Sequence, residues 1–245
     1  MGGATRYSYA REEDAAGLVS SVFLDVRARM PFVPAIFKAL ASEPATLEAA
    51  WLQARQLYDH PGRAAATARL ADAADPGLDW VAPAAVREAV APFLADLPNM
   101  VLIVTSLALA LDGALPRAPR PPANLPPAGP LPASPVPEDR GEHPLYDEIR
   151  RVYGTEHLPS MYRALGAKGL LEEPWAAIGP YLDSAEGQVR VARVRARAEE
   201  EARGFAEAAC FDADTPHARA TLEQFRVALP ANLVFVRAAS RGPRP

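Results

Sequence analysis

The stretch VPAIFKAL at residues 33–40 returns later in the chain as LPSMYRAL at residues 158–165. Each aligned pair is identical or similar in size and character. A proline stands second in both stretches, and the first turn of a helix tolerates proline because that N–H has no helical partner. Both stretches therefore predict a short helix that begins at a proline. Together they indicate an internal duplication.

Two further blocks repeat in the same order. LEAAW at residues 47–51 aligns with LEEPW at 171–175, and the Leu-Pro pair at 97–98 aligns with the pair at 229–230. An apolar run follows each of the two Leu-Pro pairs. The alternative reading is a helical composition that both halves of an alanine-rich chain share. The conserved order of the three blocks favours duplication.

A proline-rich segment separates the two copies. Ten prolines fall within residues 116–137. Proline has no N–H to donate to a helix or a central strand, so this segment is predicted to be an extended linker. The chain thus divides into a first helical repeat at 1–115, the linker at 116–137 and a second helical repeat at 138–245.

The coarse pattern predicts an all-α fold, in which two pseudo-twofold helical repeats pack around a shared interface. Helix-favouring Ala, Leu, Arg and Glu are abundant, and helical spacing of apolar residues predicts helices over 17–29, 46–58 and 184–209. The apolar run 100–111 would rise about 18 Å as a helix, too little for a bilayer core of about 30 Å. It is predicted to be a buried core helix, while residues 233–236 stay ambiguous between helix and strand.

Composition argues against several classes of function. The net charge of −4 argues against a nucleic-acid-binding protein. The single cysteine, Cys210, excludes an internal disulfide and a multi-cysteine zinc site, and the four histidines lack ligand-like spacing. No signal-peptide pattern is present at the N-terminus. We therefore expect a cytoplasmic protein without metal, nucleic-acid or membrane partners.

A ligand pocket is predicted where helix starts from both copies converge, because helix N-termini favour a small carboxylate. Its candidate wall residues are Phe32, Phe37, Asn99, Ser160, Met161 and Tyr162. The aromatic residues have the alternative of being ordinary core side chains. Asn99 has the compatible alternative of capping a helix, and Asn232 in the second copy is read as a cap.

A carboxylate and an imidazole also precede the second proline. Glu156 and His157 have the chemistry for acid–base work, with a solvated loop as the alternative reading.

The repeated blocks resemble the group I 2-haloacid dehalogenase family. The resemblance rests on PFVPAIFKALA at 31–41, on its counterpart at 158–165 and on the block at 97–107. It implies an all-α homodimer that hydrolyses 2-halocarboxylic acids without metal or organic cofactor. In that family an aspartate of the second repeat activates a water molecule, which attacks C2 and displaces the halide.

Residue by residue, the resemblance places that aspartate at Met161, between Ser160 and Tyr162. A thioether accepts no proton from water, so the expected catalytic residue is absent. An ungapped match places the water-positioning asparagine at Leu97, and a small shift would place it at Asn99, while Phe32 takes the place of a pocket tryptophan. Two hypotheses follow: a dehalogenase-like enzyme acting on a small carboxylic acid, or a non-catalytic binding or interaction protein on the same scaffold.

Overall fold

A computed structural model describes residues 9–136 and 141–242, and over these ranges it contains ten α-helices and no β-strand. The all-α prediction is therefore confirmed. The helices of the first half are α1 (Gly17–Arg27), α2 (Ala35–Leu40), α3 (Pro44–Asp59), α4 (Arg63–Ala73) and α5 (Ala84–Leu111). Those of the second half are α6 (Leu145–Tyr153), α7 (Ser160–Ala167), α8 (Glu172–Asp183), α9 (Ala185–Arg203) and α10 (Pro216–Ala239).

The aligned blocks fall on helices of the same rank in each half: the first block forms α2 and α7, Trp51 and Trp175 lie in α3 and α8, and the Leu-Pro pairs lie in α5 and α10. The two short helices of the first block, α2 and α7, correspond to each other. Each begins directly after a proline, since Pro34 and Pro159 are their N-cap residues. Packing inside the halves also corresponds. The ring of Phe37 meets Trp51 edge-on at 5.3 Å, and the aligned ring of Tyr162 meets Trp175 edge-on at 5.7 Å.

The longest helices of the halves, α5 and α10, make the most extensive helix–helix contact in the molecule. Both contain proline in their interiors, Pro98 in α5 and Pro230 in α10. A proline in a helix removes one hydrogen bond; here both lie within heavily buried segments, so packing maintains the helices. Because α5 joins α10 so extensively, the halves share one hydrophobic core.

Two predictions about these helices were wrong. Asn99 and Asn232 do not cap helices, because they lie inside α5 and α10. The run 233–236, which the sequence left ambiguous, is helical and belongs to α10. The buried run 100–111 is the second half of a longer helix. Among the described residues α5 alone has the length and apolarity to cross a membrane, yet 78% of its most apolar window is buried inside the protein. Such burial fits the core-helix prediction.

The predicted helix over 184–209 is shorter than expected. Ser184 caps α9 by accepting a hydrogen bond from the Gly187 N–H. The helix ends at Arg203, and a 3₁₀ turn (Ala206–Ala208) follows. Glycine at position 204 lowers helix propensity at this point.

The described part of the proline-rich linker has no regular secondary structure and is hydrogen-bonded to both halves, since the Ala118 N–H donates to the carbonyl of Ala209 at 2.8 Å. The Arg55 guanidinium donates to the backbone carbonyls of Pro122 and Ala123 at 3.0 and 2.7 Å. The Ser20 hydroxyl donates to the carbonyl of Gly129 at 2.5 Å and accepts from its N–H at 3.1 Å. The linker therefore lies along α1 and α3. Residues 137–140, at its predicted end, are outside the described ranges.

Candidate functional site

A small cavity lies where the two halves meet. Its wall consists of Phe32, Pro34, Ala35, Ile36, Phe93, Asp96, Leu97, Met100, His157, Pro159, Ser160, Phe225, Leu229 and Asn232. Twelve of these fourteen residues form six pairs that the repeat alignment matches between the halves. The volume open to the centres of water-sized spheres is about 40 Å³. One water needs roughly 10–15 Å³ by the same measure, so the cavity suits a ligand of a few heavy atoms.

At three of the aligned positions, the second half has a polar side chain in the cavity wall where the first half has an apolar one. His157 stands where the first half has Phe32, Ser160 where it has Ala35, and Asn232 where it has Met100. Asp96 in turn aligns with Ala228, which is not in the wall. An apolar cavity with a few polar groups is typical of small-molecule sites.

Only part of the predicted wall is found there. Phe32 and Ser160 line the cavity, and both helix starts reach it through Pro34 and Pro159.

Phe37, Asn99, Met161 and Tyr162, which were also predicted as wall residues, are not among the residues that line it. Phe37 and Tyr162 are fully buried against the tryptophans described above. Met161 is fully buried in the core, and on the other side of the alignment it is Ile36 that reaches the cavity. The position at which the family resemblance expects the catalytic aspartate is therefore not part of this cavity wall.

Asp96 is the carboxylate of the cavity. Its side chain projects from α5 and is 4% exposed, and its Oδ2 atom has no hydrogen-bond partner among the described residues. Burial raises the pKa of Asp96 to about 6, while the positive charge of Arg63 and a hydrogen bond with Asn99 oppose this shift. A carboxylate with this pKa is mostly ionised at neutral pH and is well matched to accept a proton there.

Asn99 supports this carboxylate from one helical turn away. Its Oδ1 accepts a 2.9 Å hydrogen bond from the Arg63 guanidinium, and its Nδ2 donates to the carbonyl of Ala95 at 3.2 Å. Arg63 lies 4.4 Å above the ring of Tyr58. The predicted water-positioning residue thus lies behind Asp96 and fixes its surroundings.

His157 lies in the loop between α6 and α7. Gly154, at φ 63°, ends α6 in the left-handed conformation that glycine adopts without strain. The His157 N–H then donates to the Thr155 hydroxyl at 3.1 Å, and the ring packs 4.1 Å from that of Phe225. The His157 side chain is buried, so the solvated-loop reading of this residue was wrong.

Desolvation is the main cause of the lowered pKa of this histidine. Burial, followed by the positive charges of Arg163 and Arg150, lowers the pKa of His157 to about 3. The ring is therefore neutral at neutral pH. Glu156, the other candidate, is exposed and is absent from the cavity wall.

Asn232 completes the polar set. It is 3% exposed, and its Oδ1 has no partner among the described residues. Sequence reasoning missed Asp96 altogether and read Asn232 as a cap. The available signal was a charged or amide side chain inside a long apolar helix, since such groups are rarely buried without a role or a partner.

Within residues 9–136 and 141–242, no group of three or more His, Cys, Asp or Glu side chains is placed to hold a metal ion.

Comparison with solved structures shows that the helical scaffold has a 2-haloacid dehalogenase-like fold. No protein-family model and no curated protein sequence matches the chain. Structures described as a D-2-haloacid dehalogenase mutant with D-2-CPA and as a D-2-haloacid dehalogenase with L-LA both superpose with a TM-score of 0.75. They are 17% and 18% identical to this chain and cover 95% of it and 94% of their own length.

A third structure, a D-2-haloacid dehalogenase mutant, superposes with a TM-score of 0.74 at 18% identity. At this identity the likeness establishes the fold, and it does so over nearly the whole chain. The family resemblance read from the repeated blocks is thus confirmed at the level of a 2-haloacid dehalogenase-like fold.

Proposed function

We propose that this protein binds a short carboxylic acid in the cavity between its halves and hydrolyses the bond between C2 of that acid and a halogen. The observation that carries the proposal is the Asp96 carboxylate, buried in the cavity wall with Oδ2 unbonded among the described residues. The cavity thereby holds a base even though Met161 stands at the position that the family resemblance assigns to one.

The proposed reaction is a single displacement. A water molecule donates a proton to Asp96 as its oxygen attacks C2, and the carbon–halogen electron pair leaves with the halide ion. The products are a 2-hydroxy acid, inverted at C2, and halide. Asp96 then releases its proton to solvent, which its pKa of about 6 permits at neutral pH.

The size of the cavity restricts the substrate. A volume of about 40 Å³ favours the shortest acids, those of two or three carbons, and the leucine, phenylalanine and methionine walls suit a halogen or methyl group at C2. The comparison structures support this choice, since they are described as holding D-2-CPA and L-LA.

Halide release from each enantiomer of 2-chloropropionate tests the proposal. General-base catalysis typically contributes about 10²–10⁴-fold, so Asp96→Asn should lower kcat by about 100-fold or more. Glu156→Gln is the matched control and should keep the full rate, because its side chain is exposed outside the cavity. Release that is unaffected by Asp96→Asn, or none from the wild-type protein with either enantiomer, would contradict the proposal.

The second candidate is a binding protein without turnover, and the observation that favours it is Met161. If the wild-type protein releases no halide but small carboxylic acids raise its melting temperature, the binding function replaces the enzymatic one. The homodimer is a proposal that rests on the family resemblance alone.

A further inference from the structure

The proposed substrate poses an electrostatic problem in this cavity. Ionised Asp96 repels a carboxylate, and the Asn232 Oδ1 is another acceptor oxygen that has no partner within the described part of the chain. The anionic end of the ligand therefore needs hydrogen-bond donors on a different part of the wall. The polar residues of the second half that line the cavity are His157, Ser160 and Asn232.

The His157 ring is held on two sides. The Tyr9 hydroxyl is hydrogen-bonded to Nδ1, and the ring face packs on Phe225. Tyr9 is itself fixed, since the guanidinium of Arg163 lies 5.0 Å from the centre of its ring. Among the described residues Tyr9 is the only side chain bonded to the His157 ring, which leaves Nε2 for a ligand in the cavity.

The identity of the partner decides where the proton lies. A phenol is a much stronger acid than a neutral imidazole, so the favourable arrangement has the Tyr9 O–H donating to Nδ1. In a neutral ring whose Nδ1 accepts a bond, the proton is on Nε2. A buried histidine of this kind is a hydrogen-bond donor to the cavity and a poor base.

We propose that His157 binds the anionic end of the substrate through its Nε2–H, and that Tyr9 is a positioning residue that fixes this tautomer. The inference rests on the proposed function for its ligand class, a short carboxylic acid. It adds a recognition role that the first half lacks, because Phe32 occupies the aligned position there. The ligand is thereby oriented with its carboxylate at His157, and the apolar part of the wall is left for C2 and its substituent.

Binding of propionate, measured by titration calorimetry, tests the recognition role without any turnover. His157→Phe preserves an aromatic ring, as at the aligned Phe32. A hydrogen bond to a charged group typically contributes enough that its loss should raise the Kd roughly ten- to hundredfold. Propionamide is uncharged, so His157→Phe should raise its Kd by a smaller factor than the Kd of propionate. A propionate Kd within twofold of the wild-type value in His157→Phe, or no propionate binding by the wild-type protein, would overturn the inference.

Nitrogen NMR of the histidine rings tests the positioning role, and its result on the wild-type protein does not depend on any variant folding. We expect the shifts of His157 to be those of a neutral ring protonated at Nε2. Tyr9→Phe keeps the ring beneath Arg163 but removes the hydroxyl, and it should mix the tautomers and raise the propionate Kd about threefold or more. An Nδ1-protonated ring in the wild-type protein, or unchanged shifts and Kd in Tyr9→Phe, would contradict the assignment.

These outcomes separate the two proposals. Wild-type protein that releases halide with a KM unaffected by His157→Phe keeps the proposed function and refutes the inference. Wild-type protein that binds propionate through His157 but releases no halide keeps the inference and refutes dehalogenation.

Discussion

Two buried ionisable groups in one cavity wall have pKa values displaced in opposite senses by the same cause. Desolvation disfavours the charged form of each, so it raises the pKa of Asp96 to about 6 and lowers that of His157 to about 3. At neutral pH the result is an ionised carboxylate and a neutral imidazole. The roles that we propose for them, base for Asp96 and hydrogen-bond donor for His157, depend on these protonation states.

The two shifts affect stability with opposite signs. For Asp96, the folded-state pKa lies above the unfolded value of 3.8, so the buried negative charge destabilises the folded protein above about pH 6. Protonation removes this destabilisation as the pH falls from 6 to 4. For His157, the folded-state pKa lies below the unfolded value of 6.5, so stability is lost as the pH falls from 6.5 towards 3. In the wild-type protein the two effects oppose each other between pH 4 and 6.

Asp96→Asn should therefore make the protein more sensitive to acid. Between pH 7 and 5 its free energy of unfolding should fall by about 1 kcal/mol more than that of the wild-type protein, because the compensating protonation of Asp96 is gone. Urea denaturation at the two pH values measures this difference. Asp72→Asn, at an exposed position of α4, is the control. An equal fall in both proteins would refute the raised pKa of Asp96.

Met161 gives a second test at the residue scale. Since its side chain is fully buried outside the cavity wall, Met161→Asp places a carboxylate in the core rather than in the site. We expect it to lose about 3 kcal/mol or more of unfolding free energy and to gain no halide release. Met161→Leu should change stability by less than about 1.5 kcal/mol. A stable Met161→Asp protein with new activity would place this side chain in the site.

At the scale of elements, the two halves have proline N-caps and aromatic contacts at aligned positions. The proline N-caps begin α2 and α7, and the cavity rings of Phe32 and His157 each pack on an aromatic of a long helix, Phe93 at 5.2 Å and Phe225 at 4.1 Å. Chemical differences are concentrated where these equivalent elements meet the cavity. Packing has kept the frame alike while the cavity wall differs.

The junction of α8 and α9 depends on a glycine. A Cβ at Gly187 would lie 1.9 Å from the carbonyl oxygen of Tyr181, because a single residue, Ser184, separates the two helices. Helix propensity alone predicts that Gly187→Ala stabilises the protein by about 1 kcal/mol. The clash is with backbone, so we expect a net loss of about 2 kcal/mol or more in thermal or urea unfolding.

Glu186→Ala, an exposed change in the same turn of α9, is the matched control and should stay within about 0.5 kcal/mol of the wild-type stability. A Gly187→Ala protein more stable than the wild type would show that the junction is looser than the structure describes.

At the scale of the whole molecule, the halves are one folding unit. The contact of α5 with α10 puts residues from both halves into one hydrophobic core, so neither half completes its core alone. The linker adds to this because it bonds to both halves: to α1 and α3 through Ser20 and Arg55, and to the second half through the Ala118 N–H, which donates to the carbonyl of Ala209 at 2.8 Å. The cavity at the interface exists only when both halves are folded.

We therefore expect a single cooperative unfolding transition. Trp51 and Trp80 report on the first half, and Trp175 reports on the second. In a Trp175→Phe variant, the midpoint of urea unfolding followed by fluorescence should equal the midpoint followed by circular dichroism. The same should hold in a Trp51→Phe/Trp80→Phe variant. Fluorescence and circular dichroism midpoints that differ within one variant would show that the halves unfold separately.

The sequence by itself determined the helical class, and it showed the order of the repeated blocks and the proline-rich segment between them. These features are local: helix propensity, the 3.6-residue spacing of apolar side chains and proline's missing N–H act within a few residues. The same local information named Phe32 and Ser160 as wall residues, because they adjoin the two helix starts that reach the cavity.

Only the tertiary structure decided which other side chains meet there. Asp96, His157 and Asn232 come from α5, the loop before α7 and α10, and their meeting depends on how these elements rotate and pack against one another. Local patterns do not specify that rotation. It turns Ile36 towards the cavity and the aligned Met161 into the core, and burial by the surrounding helices then displaces the pKa values on which the proposed chemistry depends.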